Sequence, residues 1–391
     1  MVSFRSAWGS LPQRKRYAHL FGLCFLFGTA TTLLSLETIR SEASTSTVSS
    51  DRRRVLTHET GVPSVPSSLT FPIAVRASSY QPKGRHQLDF FVAGFPKCGT
   101  TTMLYAFANH NETDIGKTEK CFILNAKVSD SVALNRLDDA VGELSAEYGM
   151  KRGIKCPSGI KNSRSLERMH NHSPRARLIV GIRHPVLFFQ SYYNYRVTEI
   201  YDRNLTEKIP PAEGLIGKTT WKDVCTDTAR FDLFLKQLGK TNMTTTELEE
   251  FVGRPHMAVR PNSLKVFLYS LDQIDDTDEN RSSIFRSDLQ GYLELRSPIP
   301  SFSHENLNNF VGDRGHPETM DICQSRYDAI RKVLVGHGTV METWIRKEFI
   351  KSPDVFVANK KHFLESIRSF RTDPCLLRLV SEEKERRTKA S

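Results

Sequence analysis

The chain lacks the spacings that announce the commoner metal and redox chemistries. None of its seven cysteines sits in a Cys-x-x-Cys pair, so zinc ribbons and thioredoxin-like sites are poorly supported. Cysteine and histidine do not fall at metal-ligand spacing, and no RNP-type aromatic motif or other nucleic-acid fold pattern is present. No internal repeat occurs. The net charge of +11 over 391 residues therefore directs attention to anionic partners other than nucleic acid, namely a polyanionic glycan or an anionic nucleotide donor. Part of the excess lies on solvated runs, Arg52-Arg53-Arg54 and Lys384-Glu385-Arg386-Arg387. At 39% hydrophobic and 25% charged residues, the bulk of the chain is globular. Its length suits two or three average domains, or one α/β domain with appended segments.

Long apolar runs are also scarce, with one exception. Ala18–Leu36 is a mainly apolar block of a length that suits one membrane-spanning helix. Arg14-Lys15-Arg16 precede it, and Glu37, Arg40 and Glu42 follow. By the positive-inside rule, residues 1–17 form a cytosolic tail, 18–36 a signal anchor, and the rest enters a lumen. A cleaved secretory signal is the competing reading. A plastid or mitochondrial presequence fits less well, because the apolar block is too long. Residues 37–86 are rich in Ser, Thr, Pro and Arg, with too little apolar content to order, and read as a disordered stem. Residues 87–380 read as the globular domain, and 381–391 as a charged tail. Asn-x-Ser/Thr triplets at Asn111, Asn204, Asn242 and Asn280 fit a luminal glycoprotein. A fifth, at Asn171, is compromised by Pro174. A luminal location permits disulfides, and Cys323 with Cys375 is the preferred pair.

Within the globular part, β-rich runs alternate with helical patterns. Strands are predicted over Leu88–Gly94, Arg152–Cys156, Ala176–Ile182 and Leu264–Tyr269. Helices are predicted over Thr101–Asn109, Asp138–Tyr148, Val186–Arg196 and Ser325–Phe349. This alternation predicts an α/β fold with a central parallel sheet flanked by helices, whose ligands bind at the carboxyl ends of the strands.

Two motifs stand at such ends. The first is Phe90-Phe91-Val92-Ala93-Gly94-Phe95-Pro96-Lys97-Cys98-Gly99-Thr100-Thr101-Thr102. A glycine-bounded loop between a strand and a helix start aims backbone N–H groups at one point and suits a tetrahedral anion. The glycines keep the spacing of an ATP- or GTP-binding loop, but that loop carries its lysine after the second glycine. Here Lys97 lies inside the loop. The second motif is Arg177-Leu178-Ile179-Val180-Gly181-Ile182-Arg183-His184-Pro185, with Ser191 eight residues after Arg183. A nucleotide-hydrolysing fold places a magnesium-binding aspartate after this kind of strand. This chain places an arginine, whose planar fork matches phosphate oxygens. Ser191, about two helical turns on, is spaced to face the same group.

Both motifs resemble those of the sulfotransferases. The first is similar to their P-K-x-G-T-[TS] loop for the 5′-phosphosulfate of 3′-phosphoadenosine 5′-phosphosulfate, and the second to their R-x-P-x-x-x-x-x-S site for its 3′-phosphate. The resemblance implies a three-layer fold like that of the P-loop NTPases, without a catalytic metal. It assigns Lys97, Cys98, Gly99, Thr100, Thr101, Thr102, Arg183 and Ser191 to donor binding. Glu119 lies 22 residues after Lys97, in Glu119-Lys120-Cys121-Phe122. This segment resembles the E-x-H-[FY] of Golgi carbohydrate sulfotransferases of the heparan sulfate type, where the glutamate is the general base; here Cys121 replaces the histidine. Ile154-Lys155-Cys156-Pro157-Ser158 resembles the family's K-[ST]-P-x-Y segment, which implies a place for Lys155 near the sulfuryl group and the acceptor; Cys156 and Gly159 depart from that pattern. Asp313-Arg314-Gly315-His316-Pro317 resembles its G-R-x-H-P loop, with Arg314 at the nucleotide. The resemblance thus implies transfer of a sulfuryl group to a glycan hydroxyl or amine in the Golgi lumen. Protein-tyrosine sulfation, a P-loop kinase or NTPase, and an inactive glycan-binding protein are the competing readings.

Overall fold

The computed structural model describes residues 87–376, apart from 117, 125–127, 145–149, 219–220, 240–263 and 303–317. The expected anchor, stem and charged tail lie outside these residues, as do Arg314 and Asn242. Among the described residues no helix is long and apolar enough to cross a membrane.

Six strands form one parallel sheet: β1 (Phe90–Val92), β2 (Thr113–Asp114), β3 (Lys151–Lys155), β4 (Arg177–Ile182), β5 (Val266–Ser270) and β6 (Val355–Val357). Their order is β2-β3-β1-β4-β5-β6. The central strands are apolar at nearly every position because helices cover both faces of the sheet, as an all-parallel sheet demands. Alternate residues serve two cores. Phe91, Leu178, Val180, Ile182, Val266 and Leu268 face one of them. Residues from α3 (Ser163–His172), α4 (Pro185–Asp202), α5 (Phe231–Lys236), α8 (Asp328–Lys347) and α9 (Lys360–Arg368) complete it. Phe90, Val92, Ile179, Phe267 and Tyr269 face the other, against α1 (Thr100–Ala108), α6 (Leu271–Ile274) and α7 (Glu279–Leu293). The three-layer α/β, P-loop-like architecture therefore follows from the strand order and this double burial.

The predicted elements are present with shifted ends, and one is displaced. The helix expected over Asp138–Tyr148 is α2, Asp130–Gly142. Ser129 starts it early by accepting a hydrogen bond from the Val132 N–H, with Asp130 in the first turn. Its buried stripe is Ala133, Leu134, Leu137, Ala140 and Val141. Helix α4 continues past Arg196 to Asp202.

The order places the switch point at β1, with β3 on one side and β4 on the other. A crevice opens there, beyond the carboxyl ends of the strands. Val92 is the register partner of both Lys155 and Ile179. Three neighbouring strand ends therefore carry Lys97, Lys155 and Arg183 toward one place.

Candidate active site

The segment after β1 keeps bonding to both neighbours. The Ala93 and Phe95 N–H groups donate to Ile179 and Gly181 on β4, while Cys156 donates to Val92 and Ile160 to Ala93. Close approach is needed on the β4 side. A Cβ on Gly181 would lie 2.5 Å from the Cys98 carbonyl oxygen and 2.5 Å from Tyr269 Cζ. The loop turns through two residues with positive φ, Lys97 at 63° and Gly99 at 77°. For lysine this left-handed geometry is uncommon and costs energy, which marks a position held by its surroundings.

Gly99 is the N-cap of α1 and has no side chain with which to cap it. By contrast, α2, α3 and α4 are capped by Ser129, Asn162 and His184. The first-turn N–H groups of α1, which lack intrahelical partners by geometry, come from the Thr100-Thr101-Thr102 run and open on a cleft of about 590 Å³. The cleft is also lined by Lys97, Glu119, Cys121, Arg183, Ser191, Tyr195 and Arg196, among others. One of the predicted donor residues is elsewhere. Cys98 is wholly buried in the core, with its thiol pushed up to about 12 by burial. Its carbonyl accepts from the Tyr269 hydroxyl at 2.9 Å and its N–H donates to Phe95. Cys98 is therefore a hinge-pin of the loop, because the strand-to-helix turn points its side chain inward.

Charge is concentrated at the loop. Arg183 Nη1 donates to the Lys97 carbonyl at 3.3 Å. Lys97 Nζ lies 4.7 Å from the centre of the Tyr195 ring. Burial, and after it the Arg183 guanidinium, lower the Lys97 pKa to about 8. Burial also lowers that of Arg183, which nevertheless stays charged at any ordinary pH. Two partly desolvated cations side by side form an unfavourable arrangement that an anion would relieve.

Lys155, only 2% exposed, reaches from the end of β3 into the same region. Its Nζ donates to Glu119 Oε1 at 2.7 Å and to Thr101 Oγ1 at 3.1 Å. One ammonium thus joins the exposed carboxylate to the helix start. The structure brings together Lys97, Glu119, Lys155, Arg183, Ser191 and the three threonines. Arg314 lies outside the described residues. Beside the cleft, Asn194 pairs with Met320 through both of its amide atoms and Gln190 Oε1 accepts from the Ile322 N–H.

No protein-family model matches this chain, and no curated protein does. Several solved structures are similar to it, two of them sulfotransferases. One is a sulfotransferase from Alicyclobacillus acidocaldarius, at 13% identity and a TM-score of 0.42, over 66% of this chain and 96% of that one. The other is the sulfotransferase domain from the curacin biosynthetic pathway, at 14% identity and a TM-score of 0.30, over 55% of this chain and 76% of that one.

Sequence reasoning missed two parts of the site. The first is a shelf on α4, where the Arg196 guanidinium lies 5.3 Å from the Tyr192 ring centre and 5.4 Å from that of Tyr195. Ser191 and Tyr195 are four apart and share a helix face, a signal that was open to reading. The second is a disulfide between Cys121 and Cys156; both cysteines stand where the resembled patterns carry another residue, but no spacing pairs them. The Cys323–Cys375 disulfide is also present, with Cα atoms 5.2 Å apart. Asn111, Asn204 and Asn280 are exposed.

Proposed function

We propose that this chain is a sulfotransferase. It moves a sulfuryl group from 3′-phosphoadenosine 5′-phosphosulfate to a hydroxyl or amine of a glycan. The observation that carries this reading is Arg183. It occupies the strand end where a phosphoryl-transfer fold keeps its magnesium-binding aspartate, and it shares a cleft with the Lys97 loop. A donor that carries a 3′-phosphate as well as a 5′-phosphosulfate supplies an anionic group to each of the two cations.

In this reading Lys97 and the N–H groups of Gly99–Thr102 hold the 5′ end and stabilise charge on the departing phosphate oxygen. Arg183 and Ser191 hold the 3′-phosphate. Glu119 takes the proton of the acceptor hydroxyl as its oxygen bonds to sulfur and the sulfur–phosphate oxygen bond breaks, releasing 3′,5′-adenosine bisphosphate. Lys155 orients Glu119 and ties it to the donor loop through Thr101. The half-buried Tyr195 ring on the cleft wall offers an apolar face to a sugar, beside the Arg196 guanidinium that Glu199 holds. Residues 18–36 anchor the protein in a Golgi membrane with the domain in the lumen. The apolar block and its basic flank support that placement, and the exposed sequons Asn111, Asn204 and Asn280 agree with it.

Incubation of the purified chain with labelled donor and a panel of polysaccharides tests the assignment. Label is expected on a glycan with the wild type and lost with Glu119→Gln. Transfer to none of the glycans, or undiminished transfer by Glu119→Gln, would overturn the acceptor class or the base respectively.

A further inference from the structure

Cys121 and Cys156, each at a position where its segment departs from the pattern it resembles, are the two halves of one bond. Cys121 stands two residues after Glu119, and Cys156 one residue after Lys155. Their sulfurs are joined, with Cα atoms 5.0 Å apart. Cys156 is wholly buried in the core, while Cys121 is half-buried on the cleft wall.

The two segments are held very differently. Lys155 ends β3, in register with Val92 of β1. Glu119 belongs to no helix or strand, and its side chain is 51% exposed. Sheet hydrogen bonds fix Lys155 but do not extend to Glu119. Among the described residues three links join the two segments directly: the Lys155 ammonium to Glu119 Oε1 at 2.7 Å, the Lys120 N–H to the Lys155 carbonyl at 2.9 Å, and the disulfide; further along, Lys120 pairs with Glu143 and Ile123 is buried in the core. The first is an ion pair with a solvent-exposed partner and is weak by itself. The second is a single hydrogen bond at the rim. The third is covalent. None of them touches Lys97, Arg183 or Ser191, which lie on the β1 loop, the β4 end and α4.

Resting on the sulfotransferase reading above, we propose that the Cys121–Cys156 disulfide is a positioning device for the transfer step. It clamps the segment that bears Glu119 onto the end of β3, so that the carboxylate meets Lys155 and faces the donor loop. Cys121 and Cys156 are thus positioning residues, acting through Glu119. A misplacement of about 1 Å at a reacting group costs on the order of 10²-fold in rate, and the bond acts at that scale.

The test compares Cys121→Ser, Cys156→Ser and the double variant with wild type. Turnover, acceptor KM, affinity for 3′,5′-adenosine bisphosphate and amide hydrogen exchange are measured for each. Turnover is expected to fall roughly 10- to 100-fold, equally in all three, because each loses the same bond. Affinity for the bisphosphate stays within about twofold. Exchange quickens over 118–122 and is unchanged over 94–102. A dithiol supplies the second arm. It gives two electrons and two protons to each disulfide, leaving two cysteine thiols and an oxidised cyclic dithiol. Reduction inactivates a Cys323→Ser/Cys375→Ser chain reversibly and has no further effect on Cys121→Ser/Cys156→Ser, so the arm remains decisive if the serine variants fold poorly. Normal turnover in the double variant overturns the proposal. So do additive losses in the single variants, exchange over 118–122 that does not rise, or loss of bisphosphate binding in step with turnover. A wild type that binds no bisphosphate and transfers no sulfate refutes the functional reading instead. The exchange measurement still decides whether the clamp exists.

Discussion

At the scale of single residues, Lys97 is held from three sides. It takes a backbone conformation that lysine rarely adopts, its carbonyl accepts from Arg183, and its ammonium lies over Tyr195. All three fix where its charge sits. Replacing it with alanine is expected to lower turnover at least ~10²-fold, the usual loss on removing one transition-state donor, with the melting temperature little changed. Its depressed pKa adds a signature with a definite sign. In the unliganded protein the ammonium loses its proton as pH rises through about 8, so the cationic form is present below that pH. The kcat/KM for the donor should therefore fall on the alkaline side with an apparent pKa near 8, since that parameter reports the free enzyme. The donor's negative charge favours the ammonium, so the alkaline limb of kcat lies at higher pH. Bisphosphate binding near pH 8.5 should also take protons up from the buffer, which calorimetry in buffers of different ionisation enthalpy measures. Equal limbs and no proton uptake would remove Lys97 from the donor site.

At the scale of elements, the loop is set by the strands beside it. Gly181 leaves room for the Cys98 carbonyl, and Tyr269 donates to that same carbonyl. Gly181→Ala forces an atom into occupied space and is expected to destabilise the fold by about 1–3 kcal/mol, read from the denaturant midpoint. The Cys323–Cys375 bond closes a segment with a sequence separation of 52. Removing it should cost roughly 2–4 kcal/mol without altering bisphosphate affinity. The central strands were legible in the sequence for a physical reason. Strands of a parallel sheet covered on both sides read as short apolar runs, as in Phe90–Val92 before Gly94 and Leu178–Ile182 before Pro185. The loops that follow β1 and β4 were legible with them, because chemistry follows strand ends in such sheets. Helix α2 was misplaced by eight residues at its start because the cap at Ser129 was passed over for a later apolar stretch. The link from Lys155 to Thr101 spans 54 residues, and that from Cys121 to Cys156 spans 35. No spacing rule reports such pairs; packing makes them.

At the scale of the whole molecule, strand order decides the function. Because β3 and β4 flank β1, the loop lysine, the β3 lysine and the β4 arginine converge on one crevice. A different order would scatter the same residues. The central claim is that this crevice grips one adenosine by two anionic ends, with Lys97 at the 5′ side and Arg183 at the 3′ side. The most direct test is calorimetric titration of wild type, Lys97→Ala and Arg183→Ala with 3′,5′-adenosine bisphosphate and with 5′-adenosine monophosphate, without magnesium. The wild type is expected to favour the bisphosphate by roughly 10- to 100-fold, the worth of a charge-assisted hydrogen bond. Arg183→Ala should erase that preference, whereas Lys97→Ala should weaken both ligands and keep it. Equal affinity of the wild type for the two nucleotides, or a preference that survives Arg183→Ala, would contradict the account.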